Sequence, residues 1–154
     1  MAQSTRDKAH LTAIARRTAS APARWLCDPK RGSEFIGDMW THLDYGCGRG
    51  ADADTFGWDR YDPHYFPELP TRNDYHTITC TFVLNVIESP VEREMILSII
   101  RSLLRPGGKA YITIRRDVKT EGVTSRGTYQ ENVVLDLPVV TEKRGAYIIY
   151  LLKG

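Results

Sequence analysis

The chain has 154 residues, of which 42% are hydrophobic and 26% charged, and its net charge at pH 7 is +2. These values are typical of a soluble globular protein with one core, and no apolar run reaches the about 20 residues that a membrane-spanning helix needs. The three cysteines are odd in number and widely spaced. They argue against a disulfide framework and a metal site, and they favour a reducing, cytoplasmic location.

The charges are distributed unevenly along the chain. Residues 1–31 hold seven Lys and Arg against two Asp and Glu, whereas residues 32–75 hold three against nine. A basic N-terminal end is compatible with an anionic partner such as nucleic acid, and equally with a solvated basic helix. The composition leaves both interpretations open.

The N-terminal part is expected to be helical. Residues 4–17 predict one helix, and Ser20 followed by Pro22 predicts the start of a second, short helix. We assign residues 1–38 to an N-terminal helical segment packed on the core and residues 39–154 to the main domain, within a single domain overall.

Strand patterns alternate with one long helical pattern in the rest of the chain. Apolar and β-branched runs predict strands at residues 39–45, 56–61, 76–82 and 109–115. Apolar residues recur at helical spacing over Glu88–Leu104, and the following Pro-Gly-Gly would end that helix. Two apolar runs, at 133–140 and 146–152, predict a β-hairpin. The order predicts an α/β fold with a mostly parallel sheet and a C-terminal antiparallel hairpin.

A glycine-rich turn, Gly46-Cys47-Gly48-Arg49-Gly50, follows the first predicted strand. Such a turn lets the backbone approach a ligand closely, and its spacing also satisfies the dinucleotide pattern GxGxxG/A. Asp44 lies two residues before the first glycine, where its carboxylate would repel a pyrophosphate. The same carboxylate would attract the ammonium and sulfonium groups of S-adenosylmethionine (SAM).

Three short motifs then carry a family resemblance. Asp44-x-Gly46-x-Gly48-x-Gly50 resembles the first motif of class I SAM-dependent methyltransferases. The segments 83–87, VLNVI, and 104–109, LRPGGK, resemble their segment after strand four and their turn into strand five. Over nearly the whole chain, the segments 17–22, 43–50, 57–65 and 83–93 resemble small methyltransferase-like proteins of phage and bacterial type associated with DNA phosphorothioation.

The resemblance implies a Rossmann-like class I methyltransferase sheet with SAM as the cofactor. Asp44 and the backbone of Gly46–Gly48 would hold the methionine end of SAM. Asp62 would accept hydrogen bonds from the ribose hydroxyls, with Pro63 beside the adenine and Phe82 on the methyl-donor side. The full set of expected cofactor contacts is Asp44, Tyr45, Gly46, Cys47, Gly48, Asp62, Pro63, Phe82 and Asn85.

Two alternatives concern the acidic residue after the second strand. Asp59 competes with Asp62 for the ribose, and the likeness of Asp62-Pro63-His64-Tyr65 to the family's Asp-Pro-aromatic-Tyr run favours Asp62. The same four residues also resemble the DPPY motif of DNA amino-methyltransferases. That motif belongs after strand four, whereas here it follows strand two, which argues against a target-binding role.

The chain departs from the full family pattern around strands two and three. Only residues 51–55 remain between the glycine turn and the second strand, and residues 63–75 show no recognisable third strand. We therefore expect a shortened sheet and an open site that serves a macromolecule or is completed by a partner.

The expected function is methyl transfer from SAM to an unidentified acceptor, with nucleic acid or protein as the candidate acceptor classes. The alternative is a non-catalytic SAM-binding subunit of a nucleic-acid modification system, and a third interpretation is a dinucleotide-dependent oxidoreductase. Arg17, Arg116 and Tyr129 are the candidate acceptor contacts, with Arg16, Arg126 and Asn85 also worth testing. The sequence designates no catalytic base and leaves the oligomeric state open.

Overall fold

The computed structural model describes residues 4–32 and 34–154. Its α-helices are α1 (Ala21–Leu26), α2 (Ala51–Phe56) and α3 (Pro90–Leu103). Its strands are β1 (His42–Tyr45), β2 (Asp59–Tyr61), β3 (Tyr75–Thr81), β4 (Leu104–Arg115), β5 (Gly122–Val123), β6 (Tyr129–Gln130), β7 (Val139–Lys143) and β8 (Tyr147–Lys153). Short 3-10 turns lie at Ala9–Thr12, Pro29–Arg31 and Leu84–Val86.

Six strands form one sheet in the order β2-β1-β3-β4-β8-β7. The pairs β1–β2, β1–β3 and β3–β4 are parallel, whereas β8 runs antiparallel to both β4 and β7. The predicted α/β fold, with a mostly parallel sheet and a C-terminal hairpin, is confirmed. Because parallel strands end at the same edge, the residues that follow β1, β2 and β3 lie together, which is where such sheets bind ligands.

The two faces of the sheet differ in polarity because alternate residues of a strand point to opposite faces. One face is apolar and packs against α3, through residues such as Leu43, Ile78 and Ile112. On the other face of β1 and β3 lie polar side chains that are nonetheless buried. Near them Leu26 of α1 packs in a second apolar cluster.

Serine side chains cap two helices, the first of them at the position that the sequence indicates. Ser20 Oγ accepts a hydrogen bond from the amide of Ala23, and Ser89 Oγ accepts one from the amide of Glu92, both at 3.3 Å. Each cap is followed by a proline in the first turn, where its missing N–H removes no helical hydrogen bond.

The predicted helix over residues 4–17 is wrong. Only the 3-10 turn Ala9–Thr12 forms there, and the backbone is extended at Ala13. The apolar side chains that would have formed the buried face of that helix, Leu11 and Ile14, are 42% and 54% exposed. A short helix without a packed apolar face is marginal in water, which accounts for the difference.

Several strand boundaries also differ from the predictions. The first hairpin strand, predicted over 133–140, begins only at Val139, directly after Pro138, which has no N–H to donate to a ladder. The small β5–β6 ladder forms between residues 122 and 130, where no strand is predicted. The strand predicted over 56–61 keeps only its last three residues, because Phe56 ends α2.

The sheet is shortened next to β2, as predicted. Residues 62–74 contain neither helix nor strand beyond a single bridge between Asp62 and Phe66. Across the described ranges, 4–32 and 34–154, no helix has the length and apolar character to cross a bilayer. The assignment of 1–38 and 39–154 as parts of one domain stays a prediction.

Candidate functional site

A cleft of about 540 Å³ lies at the carboxyl edge of the parallel strands. Its walls come from the turns after β1, β2 and β3, from residues 6–16 of the N-terminal segment, and from the side of α3. All nine residues predicted to contact a cofactor line this cleft: Asp44, Tyr45, Gly46, Cys47, Gly48, Asp62, Pro63, Phe82 and Asn85. The structure thus brings together, in one place, residues from three separate stretches of sequence.

The glycine turn is fixed against β2 by backbone hydrogen bonds. The amides of Gly46 and Cys47 both donate to the carbonyl of Tyr61, at 2.7 and 3.0 Å. Gly46 has a φ of 76°, and a Cβ there would lie 2.4 Å from Cγ2 of Val83. Glycine is therefore required at position 46 both by the backbone conformation and by the close approach of the segment after β3.

Asp44, at the third residue of β1, is the most buried carboxylate of the cleft. Its side chain is 3% exposed, and the hydroxyl of Thr79 donates to its Oδ1 at 3.1 Å. The pKa of Asp44 is raised to about 8, mainly by burial and also by the nearby carboxylates of Asp52 and Asp62, whereas the Thr79 hydrogen bond lowers it. A cation placed beside this carboxylate would favour its ionised form.

Two further carboxylates of the cleft, Asp52 and Asp62, are held by hydrogen bonds. Asp52 accepts from the amide and the hydroxyl of Ser20, at 2.6 and 2.8 Å. Asp62 accepts from the amide of Gly48 at 2.9 Å, and its other oxygen accepts from two amides of its own turn. Each carboxylate oxygen has two lone pairs, so Oδ2 of Asp62 has room for one further hydrogen bond from a ligand.

Asp59, the rival of Asp62, lies outside the cleft lining. Its carboxylate accepts a hydrogen bond from the hydroxyl of Tyr75 at 2.7 Å, which ties β2 to the start of β3. The placement of the two carboxylates therefore favours Asp62 as the ligand-facing residue.

The segment after β3 presents a strained residue and an unsatisfied one to the cleft. Phe82 has a φ of 59°, an uncommon conformation for a residue with a side chain. The guanidinium of Arg115 lies 5.6 Å from the centre of its ring. Asn85 is 1% exposed and donates to Gln130, but its Oδ1 has no hydrogen-bond partner in the described part of the chain. This oxygen is available to a donor on a ligand.

The candidate acceptor contacts Arg17, Arg116 and Tyr129 do not line the cleft. Arg17 is exposed. Arg116 donates to backbone carbonyls and, at 2.8 Å, to the hydroxyl of Tyr150, and Tyr129 donates to Glu131 at 2.5 Å. Arg116 therefore links the irregular 116–138 region to β8, and Tyr129 makes its hydrogen bond within that region.

Of the other residues marked for testing, Arg16 and Asn85 line the cleft, whereas Arg126 lies in a neighbouring depression. Arg126 is exposed there.

The sequence did not identify the contacts by which the N-terminal segment forms a wall of the cleft. Arg6 pairs with Glu92 of α3 at 2.8 Å, and the ring of His10 stacks on that of His64 at a centroid distance of 3.9 Å. These contacts join residues more than fifty positions apart, and no local pattern signals them.

No protein-family model and no curated protein matches the chain. Among solved structures, it is similar to 1,6-didemethyltoxoflavin-N1-methyltransferase from Burkholderia thailandensis, with bound 1,6-didemethyltoxoflavin and S-adenosylhomocysteine, at a TM-score of 0.58 and 19% identity. That similarity covers 86% of this chain and 76% of the other. It shows that this chain has the Rossmann-like fold of class I methyltransferases.

Two further methyltransferase structures match less well. An amino pentose methyltransferase from Micromonospora echinaspora has a TM-score of 0.45 at 19% identity, covering 59% of this chain and 48% of that one. A glycopeptide N-methyltransferase has a TM-score of 0.46 at 11% identity, covering 92% and 78%.

Proposed function

We propose that this chain, with its class I methyltransferase fold, binds SAM and transfers its methyl group to an acceptor. The observation that carries the proposal is the convergence of Asp44, Asp62 and the glycine turn on one cleft at the carboxyl edge of the sheet. The Burkholderia structure of the same fold holds S-adenosylhomocysteine, which supports the choice of cofactor.

The residues of the cleft fit the groups of SAM. Asp44 would hold the ammonium, the backbone of Gly46–Gly48 would lie against the methionine portion, and Asp62 would accept from the ribose hydroxyls. The cleft volume of about 540 Å³ is within the roughly 300–1,000 Å³ usual for small-molecule sites. When bound, SAM supplies an electrophilic methyl group, and the residues of the chain supply position and electrostatics.

The acceptor that we propose is a macromolecule, nucleic acid or protein, which reaches the cleft from its open side. Ile14, Arg16 and Arg49 line the cleft and are exposed, so these side chains are free to contact a large partner. We also propose that the chain is related to the small phage and bacterial methyltransferase-like proteins associated with DNA phosphorothioation.

The affinity for SAM is expected to pass through a maximum near pH 8. The folded chain holds Asp44 protonated below a pKa of about 8, so binding an ammonium there must release a proton, and affinity falls by up to about tenfold per pH unit below that value. Above it, the free amine of SAM loses its own proton. Titration calorimetry at several pH values, in buffers of different ionisation enthalpy, measures both the affinity and the released protons. A flat profile from about pH 6 to 8 would contradict an ion pair with Asp44.

The function itself is tested in two stages. Calorimetry with SAM, S-adenosylhomocysteine and NAD should show binding of the first two only, and a preference for NAD would instead support an oxidoreductase. Methyl-labelled SAM is then incubated with the chain and with separate nucleic-acid, protein and small-molecule fractions. Label in the nucleic acid or protein fraction supports the proposal, and label in small molecules overturns the acceptor class. SAM binding without transfer to any fraction favours the non-catalytic alternative.

A further inference from the structure

Four polar side chains are buried side by side on one face of the sheet. His42 and Asp44 alternate on β1, and Thr77 and Thr79 alternate on β3, with His42 opposite Thr77 and Asp44 opposite Thr79. Residues two apart on a strand point to the same face, and all four are less than 5% exposed. Burying so many polar groups costs free energy unless each finds a hydrogen bond.

Hydrogen bonds join these four side chains into a chain that ends at Asp44. Thr77 Oγ1 lies 2.7 Å from Nδ1 of His42, and Nε2 of His42 lies 3.0 Å from Oγ1 of Thr79. Thr79 Oγ1 in turn donates to Oδ1 of Asp44 at 3.1 Å. The ring of Trp58 packs on His42 at a centroid distance of 4.0 Å.

The direction of each hydrogen bond follows from the number of hydrogens. An ionised Asp44 only accepts, so the single hydroxyl hydrogen of Thr79 goes to Asp44, and the Thr79 oxygen must accept from Nε2–H of His42. Nδ1 of His42 then accepts from the hydroxyl of Thr77. Burial lowers the pKa of His42 to about 3, so the ring is neutral and carries the one N–H that this arrangement uses.

Besides the hydroxyl of Thr79, the titratable groups near Asp44 on neighbouring elements are carboxylates and thiols. Asp52 of α2 and Asp62 after β2 oppose its ionisation, and the buried thiol of Cys80 and the thiol of Cys47 lie close enough to be influenced by it. In the described part of the chain, Thr79 is the one side chain that donates a hydrogen bond to this carboxylate. Its other oxygen, Oδ2, accepts none there.

We propose that Thr79 and His42 are positioning residues for Asp44: their hydrogen-bond chain occupies Oδ1, orients the carboxylate, and leaves Oδ2 for the cation of the ligand. The proposal rests on SAM binding at this cleft. It assigns to His42 a role that its burial alone would not indicate, because the imidazole fixes which way the hydroxyl of Thr79 points.

Thr79→Val removes the donor with little change in volume. We expect SAM to bind roughly tenfold more weakly near pH 7, and the acidic limb of the affinity profile to move up by about one pH unit, since a hydrogen bond to a charged group is lost. The ratio of variant to wild-type affinity should rise towards one above about pH 9, where Asp44 is ionised in both proteins, and the loss that remains there measures the orienting effect of the hydrogen bond. Thr79→Ser keeps the hydroxyl and should restore the wild-type profile.

The chain offers a matched control in Thr113. It lies on the adjacent strand β4, is 0% exposed, and its Oγ1 has no hydrogen-bond partner among the described residues. Thr113→Val therefore makes the same chemical change in the same sheet and should leave the pH profile of SAM binding unchanged. Equal shifts in both valine variants would overturn the proposal, because they would reflect general changes in the core.

A second measurement does not depend on SAM or on the stability of the valine variant. Nitrogen NMR of the histidine side chains at about pH 9, where Asp44 is ionised without a ligand, should show the neutral Nε2–H tautomer, with the His42 signals assigned through a His42→Gln variant. The Nδ1–H tautomer, or a Thr79→Val profile that coincides with wild type, would overturn the proposal while SAM binding by the wild type stands. Wild-type protein that does not bind SAM would instead overturn the proposed function.

Discussion

Asp44→Asn is expected to weaken SAM binding by about 30- to 1,000-fold, the effect of removing one partner of a desolvated charge pair. The asparagine keeps an oxygen for the hydroxyl of Thr79 and has nearly the same volume, so the cleft should keep its shape. What it loses is the negative charge beside the ligand's ammonium. Titration calorimetry at about pH 8, where the wild-type affinity is expected to be highest, measures the difference.

The same substitution is expected to stabilise the ligand-free protein. The pKa of Asp44 in the folded chain is about 8, well above the roughly 3.9 of an unfolded Asp, so the folded state holds an extra proton between these values. Wild-type stability on this account falls as the pH rises from about 4 to 8, whereas that of Asp44→Asn does not. Thermal unfolding at several pH values should show the variant gaining on wild type as the pH rises.

Asp54→Asn is the matched control for charge. Asp54 lies in α2, is 65% exposed in its side chain, and pairs with Arg60 at 2.9 Å. Its replacement changes the net charge equally but should alter SAM affinity little. If Asp44→Asn binds SAM as tightly as Asp54→Asn does, Asp44 is not the ammonium site.

Gly46→Ala is expected to destabilise the fold by about 2 to 5 kcal/mol, from a residue with a side chain at positive φ and from overpacking. The added Cβ would lie 2.4 Å from Cγ2 of Val83, and valine is stiff about χ1 and cannot easily turn away. Relief of the clash would move the segment after β3, which carries Phe82 and Asn85, so SAM affinity should fall as well. Denaturant unfolding and calorimetry measure the two effects.

Two further variants separate the backbone cost of the positive φ from the steric cost of the clash with Val83. Gly57 also has a positive φ, of 70°, but a Cβ there would meet nothing within 4 Å, so Gly57→Ala should show the backbone cost alone. In Gly46→Ala with Val83→Ala, the steric part is removed, and the double variant should be more stable than the sum of the single changes indicates. Equal losses in Gly46→Ala and Gly57→Ala would mean that the approach of Val83 is unimportant.

The parts of the fold that follow a local pattern could be predicted from the sequence. Helix α3 has apolar residues at helical spacing and a serine cap, and the sheet strands are short β-branched or apolar runs, so both are recognisable without tertiary information. The prediction of a helix over residues 4–17 is wrong because its apolar residues, Leu11 and Ile14, are not buried against the rest of the chain. Whether an apolar face is buried depends on the rest of the chain, and spacing alone does not reveal it.

In the candidate site, too, some features follow from the sequence and others depend on how the strands pair. Asp44, the glycine turn and Asp62 could be expected to meet, because each follows or ends a parallel strand and such strands end at one edge. The hydrogen-bond chain through His42 and Thr79 could not, because it depends on the register between β1 and β3. A one-residue shift of that register would send Thr79 to the opposite face, and no local feature of either strand fixes it.

The three-residue strand β2 stands at the edge of the sheet, and its shortness bears on how this protein behaves at high concentration. An unpaired edge strand is a template on which another chain can add a strand and begin aggregation. Here the template is short, Asp59 and Arg60 are exposed on it, and three prolines follow within the next ten residues. Charges and prolines both oppose strand addition. On the β2 side, the shortened sheet thus ends in an edge that discourages strand addition.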